Sequence, residues 1–192
     1  MSRSTELLAT YVSDLLALER HLYEAVDRQA ADSSVLDYPQ AKALVERLHS
    51  TARTHRDNLD VHLRALGGHS TSAVKEALTS VLGMAAGVLD KVRPYAVSKM
   101  LRDDYTALSM AAISYTMLHT AALAFKENAT AELSRKHLQD WTPLIVDISE
   151  AIPFIVVREL ERDSLAVEPN VASEALKNTH GAWTREAMDH AA

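Results

Sequence analysis

Apolar residues recur every three or four positions through most of the chain, the period of an α-helix with one buried face. The first such run spans about Ser4 to Asp32 and ends in the polar stretch Ala31-Asp32-Ser33-Ser34. A second begins near Tyr38, with Asp37 as its cap and Pro39 in the first turn, and stops at Gly67-Gly68. A weaker run covers about Ser72 to Val92, loosened by Gly83 and Gly87 and halted by Pro94. The fourth predicted helix runs from about Val97 to Glu127 and the fifth from about Ala131 to Asp163. Strand-type alternation never lasts more than a few residues. From Ser164 a polar segment with Pro169 and Gly181 reads as a tail. Its Trp183 and Met188 are candidates to dock on the body or a partner subunit, or to stay mobile.

Long helices joined by short turns favour antiparallel neighbours. Pairing the first helix with the second, and the fourth with the fifth, predicts an all-α antiparallel four-helix bundle over residues 1–163. The Ser72–Val92 segment is then a crossover helix between the two hairpins, and residues 164–192 form the polar C-terminal tail.

Composition agrees with this picture. In 192 residues, 47% are hydrophobic and 24% charged, as in a soluble globular domain, and five Gly and five Pro leave few turns. A net charge of -6 argues against a nucleic-acid partner, which needs a basic face. The absence of Cys removes disulfides, zinc-thiolate sites, iron–sulfur clusters and thiol catalysis. The N-terminal segment lacks an apolar run of signal-peptide length, so a cytoplasmic protein is expected. Tyr105 to Phe125 carries no Asp, Glu, Lys or Arg, but its hydroxyl residues and His119 make it too polar for a membrane span. A helix uncharged on every side is expected to be buried all round, in a core or a homodimer interface.

Stepping about 100° per residue places individual side chains on faces. The first helix has the stripe Leu8, Tyr11, Val12, Leu15, Leu22 and Val26, and Glu19 falls inside it. A carboxylate in a leucine stripe is costly unless it is paired, protonated or coordinated. The second helix has Leu44, Leu48, Ala52, His55, Leu59, His62 and Leu66 on one face. With the turn centred near residue 35, Glu19 lies opposite residue 51 or 52, and His55, one turn further along the same stripe, should face it. Glu46-x-x-His49 has metal-ligand spacing, but Glu46 lies about 180° from His55, on the solvent face. The fifth helix shows His137, Trp141, Leu144, Ile148, Ile152, Ile155 and Glu159, with Pro143 and Pro153 expected to kink it. The fourth helix offers two inner faces: Thr106, Met110, Ile113, Met117, Ala121 and Ala124, or Tyr105, Leu108, Ala112, Tyr115, His119 and Ala122. Neither carries a carboxylate at mid-depth. Asp103 and Asp104 fall near its start, where they favour the helix dipole.

These residues resemble the ferritin-like proteins of the YciE/YciF type, small bacterial stress-associated bundles. Leu18-Glu19-Arg20-His21-Leu22 is similar to that family's Ala-Glu-Lys/Arg-Gln-Leu stretch. His55 stands twelve residues before Gly67, as the family's second-helix His stands to its terminal Leu-Gly. Arg102-Asp103 and Ala131-Glu132-Leu133 match the openings of the fourth and fifth helices, and the resemblance covers about residues 5–163. It implies a ferritin-like fold and a dinuclear iron or related metal centre. Carried over by position, Glu19 and His55 are retained. The acid expected a turn before His55 falls at Ala52 or Arg53, the fourth-helix acids fall at Ser114 and Met117, and the fifth-helix acids fall around Gln139, Asp140 and Trp141. Such a centre needs about four carboxylates, and at most Glu19 and Asp140 remain.

The expectation is therefore a non-catalytic ferritin-like bundle without a cofactor, a structural or interaction protein with a degenerate metal site. The alternative is a reduced metal site for mononuclear iron, manganese or zinc, built from Glu19, His55, His119 and Asp140, with Tyr115 as a further donor. A third reading lines a pocket for an apolar or aromatic ligand with Met110, Met117, Tyr115 and Trp141. A phosphate-cradling Gly loop, a nucleophile elbow and a basic aromatic stripe are all missing.

Overall fold

The computed structural model describes residues 2–68 and 96–183. Among the described residues the chain forms helices and no strands. They are α1 (Arg3–Ala30), α2 (Ser33–Leu36), α3 (Pro39–Ala65), α4 (Ala96–Ala124), α5 (Asn128–Arg162) and α6 (Val171–Trp183). The expected crossover helix at Ser72–Val92 and Met188 of the tail lie outside the described residues.

Local chemistry sets the boundaries. Ser2 caps α1 by accepting the Thr5 amide at 3.2 Å. Asp32 begins α2, which occupies the expected polar turn, by accepting the Ser34 amide at 2.8 Å. Pro39 opens α3 as expected, but Asp37 is not its cap: Tyr38 holds that position, and the Asp37 carboxylate accepts from Arg162 at 2.9 Å. Gly67 ends α3 with φ 77°, its amide reaching the Arg64 carbonyl and the Gly68 amide the Leu63 carbonyl. This left-handed stop satisfies two carbonyls of the last turn. The α4–α5 turn has the same geometry with Lys126 at φ 57°, and Glu127 then caps α5 through the Thr130 amide at 2.7 Å.

The helices pack as two hairpins, α1 on α3 and α4 on α5, closed by α1 against α4 and α3 against α5. Leu8, Val12, Leu15, Leu22 and Val26 of α1 meet Leu44, Leu48, Ala52 and Leu59 of α3 in one core with α4 and α5. The helix α5 runs through both Pro143 and Pro153. Of the two faces open to α4, the one carrying Leu108, Tyr115 and Ala122 turns inward, together with Val97, Leu101, Asp104, Ala111 and Leu118. The other is outside: Ile113 and Met117 are 59% and 49% exposed. Of the two expected settings, burial all round in the core of one chain is therefore not what α4 has. It is long and apolar enough to cross a membrane by length and composition alone.

Beyond Ser164 the polar segment contains α6, which packs against α5 with Ala172 buried and His180 3.7 Å from Glu150.

Candidate functional site

At the centre of the bundle Glu19 is fully buried, one turn past Leu15 on the apolar stripe of α1. Its Oε1 accepts hydrogen bonds from three helices. Tyr115 Oη of α4 donates at 2.7 Å, Trp141 Nε1 of α5 at 2.8 Å, and His55 Nδ1 of α3 lies at 3.2 Å. The expected facing of Glu19 and His55 is present. Glu19 Oε2 is also buried and has no hydrogen-bond partner among the described residues.

The His55 ring bridges two carboxylates, because its Nε2 lies 3.2 Å from Asp140 Oδ2. A ring protonated on both nitrogens can donate to both, and a neutral ring to one. Asp140 is about one third exposed and also accepts from Lys136 at 3.0 Å. Burial raises its carboxyl, but the bonds from Lys136 and His55 outweigh this and leave it below the usual carboxylate range. The centre thus connects to the surface through Asp140.

A second chain of bonds has a fixed direction. Burial, then the neighbouring Glu19 charge, raises the Tyr115 phenol well above its ordinary value, so it stays protonated. With its hydrogen given to Glu19, Tyr115 Oη must accept from His137 Nδ1–H, 2.9 Å away. His137 is kept neutral because burial, and then His55, push it down to about 3. Its Nε2 is left as the acceptor for Asn58 Nδ2–H at 3.4 Å. The rings of His55 and His137 stack at 3.7 Å between centroids, with Trp141 edge-on to His55 at 4.9 Å.

Three other histidines among the described residues, His119, His62 and His49, are engaged elsewhere. His119, expected to join the site, instead donates from Nδ1 to the Ala131 carbonyl at 2.8 Å and approaches Ser134 at 3.4 Å. The start of α5 holds it there, and one ring nitrogen is committed to the backbone. His62 is half-buried and bonded to Thr130 at 2.7 Å. His49 pairs with Asp27 at 3.0 Å, while Glu46 lies near Lys42 on the solvent side, so Glu46-x-x-His49 forms no site.

Of the four candidate ligands the structure therefore joins Glu19, His55 and Asp140 and separates His119. Ala52 is buried beside them without an oxygen to offer. Ser114 bonds back to the Met110 carbonyl and Met117 is exposed, so the inward α4 positions are Tyr115 and Leu118. Two carboxylates do not fit a dinuclear centre, which needs about four. Among the described residues no three His, Asp or Glu side chains are grouped to hold a metal ion. The sequence pattern gave no signal for His137 and Trp141 as polar partners, since both read as core positions of α5.

No family model matches the chain. No curated protein matches it either. A crystal structure of a protein from Xanthomonas campestris pv. campestris is similar in fold, with a TM-score of 0.69 at 20% identity. The match covers 85% of this chain and 100% of that one. At this identity the likeness concerns the helical fold alone.

Proposed function

We propose that this chain is a ferritin-like bundle of the YciE/YciF kind whose centre is closed by hydrogen bonds. It serves as a non-catalytic structural or interaction protein of the cytoplasm. One observation carries the reading: Glu19 Oε1 already accepts from Trp141, Tyr115 and His55. Tyr115 and Trp141 stand where further acids would be needed, and an indole N–H donates only. The three bonds satisfy a charge that would otherwise be costly to bury. The uncharged outer side of α4, with Ile113 and Met117, supports a homodimer through that face. Its Thr106, Ser114 and Thr120 hydroxyls are satisfied by their own helix carbonyls.

A second reading is a mononuclear iron, manganese or zinc site on Glu19 and His55, favoured by a Glu19 Oε2 without a partner among the described residues, with Asp140 on the far nitrogen of the His55 ring. Elemental analysis by mass spectrometry of protein purified without added metal separates the two. Substoichiometric metal supports the closed centre. About one ion per chain, lost in Glu19→Ala, supports the second reading. Light scattering of wild type and Ile113→Glu tests the dimer face, where a wild-type monomer would contradict it.

A further inference from the structure

Asp104 of α4 and Gln29 of α1 are joined by one hydrogen bond, from Gln29 Nε2–H to Asp104 Oδ1 at 2.8 Å. Asp104 is only 4% exposed, although the sequence suggested a role at the helix start. Asp104 Oδ2 and Gln29 Oε1 are also buried, and neither has a hydrogen-bond partner among the described residues. Two acceptors left over in one pair lack a single proton between them. A carboxylate only accepts, whereas a carboxylic acid carries an O–H. A planar acid and a primary amide can then close a ring of two hydrogen bonds. We propose that Asp104 is a neutral acid in the folded protein, donating Oδ2–H to Gln29 Oε1, and that its ionisation opens this latch between α1 and α4. Reversing the Gln29 amide gives the same pair with its two bonds exchanged.

The surroundings favour the neutral acid. Burial drives the Asp104 carboxyl up to about 7; the Gln29 bond lowers it, and the Asp103 charge adds to the rise. From the elements packed on α4, α1 brings the neutral Gln29 and α2 turns Val35 inward. The helix α5 turns Leu144, Ile148 and Ile155 inward, with His137 at the bundle centre and the Glu159 carboxyl held on the Val97 and Ser98 amides at the start of α4. Asp103 is on the exposed side with Arg102 at 2.6 Å. Ionisation would strand a charge in this setting and leave two oxygens without the shared hydrogen. Because the folded carboxyl is raised above its unfolded value, its contribution is complete below about pH 4. It is lost as pH rises through about 7.

Asp104→Asn tests the latch. The Asn amide can make both bonds to Gln29 but has no proton to titrate. Folding equilibrium constants from urea unfolding are compared between pH 4 and 8. The ratio of variant to wild type should rise about tenfold per pH unit from roughly pH 4 to 7 and then level. A ratio flat across this range would overturn the proposal. At pH 4, Asp104→Leu should be less stable than Asp104→Asn; equal stability would remove the second hydrogen bond from the account. Should Asp104→Asn fail to fold, carbon-13 NMR of the wild-type Asp104 carboxyl decides. A midpoint near 7 supports the latch, and one at about 4 overturns it.

Discussion

Trp141 donates its indole hydrogen to Glu19 Oε1 at 2.8 Å, tying the middle of α5 to the middle of α1 across the bundle. Both side chains are essentially excluded from water, so neither can exchange the other for solvent. Trp141→Phe keeps most of the apolar volume and removes the donor. Urea unfolding should show a loss of roughly 2–4 kcal/mol, because a charged buried acceptor loses a partner and the smaller ring leaves space. A loss under 0.5 kcal/mol, on the order of an ordinary surface change, would mean the bond is unimportant.

His137 makes acid sensitivity a second expectation. Burial, then the His55 ring, lowers it to about 3 in the folded chain, against about 6.5 unfolded. Between these values the unfolded state binds the extra proton. Its contribution is present above about pH 6.5 and declines as pH falls toward about 3, by up to roughly 1.4 kcal/mol per unit. Asp104 has the opposite sign over about pH 4 to 6.5, so the two offset each other in the wild type. Asp104→Asn should therefore reveal a steeper acid decline, and adding His137→Gln should flatten it. Parallel profiles for the single and double variants would refute this assignment.

Glu159 secures the opposite end of α5. Its Oε1 accepts the amides of Val97 and Ser98 at 2.9 and 3.1 Å, placing a carboxylate on the first turn of α4. A carboxylate at a helix N-terminus is also favoured by the helix dipole. Glu159→Ala should cost roughly 1–3 kcal/mol in urea unfolding, with partial recovery in Glu159→Gln. An unchanged midpoint would show that other groups satisfy those amides.

Lys126 occupies a left-handed position at the end of α4, with φ 57°. A side chain is strained there and glycine is not. Lys126→Gly should raise stability by about 0.5–1 kcal/mol, seen as a higher melting temperature. A lower one would mean that flexibility gained by the unfolded chain outweighs the relief.

The helical hairpins and the Glu19–His55 approach were legible because helical period and turn position fix faces and levels. A charge inside a leucine stripe stands out, and Glu19 is fully buried rather than turned to the bundle edge. The register of α4 was not legible. With no charge from Tyr105 to Phe125, both faces looked equally fit for the core, and contact with α1 and α5 decides between them. The donors at the centre were hidden for a related reason. Trp141 and His137 sit at apolar-looking positions, and what their N–H groups meet depends on the opposite helix. Asp104 could not be told from Asp103 beside it without knowing that Gln29 lies across from it.

The closed centre is tested most directly by nitrogen-15 NMR of the Trp141 indole during a zinc titration in deuterated buffer. The account predicts a signal that exchanges slowly and does not move with excess zinc, because Glu19 Oε1 stays engaged by the indole. Loss or displacement of that signal at one zinc per chain would mean the carboxylate is free to bind metal, and would contradict it.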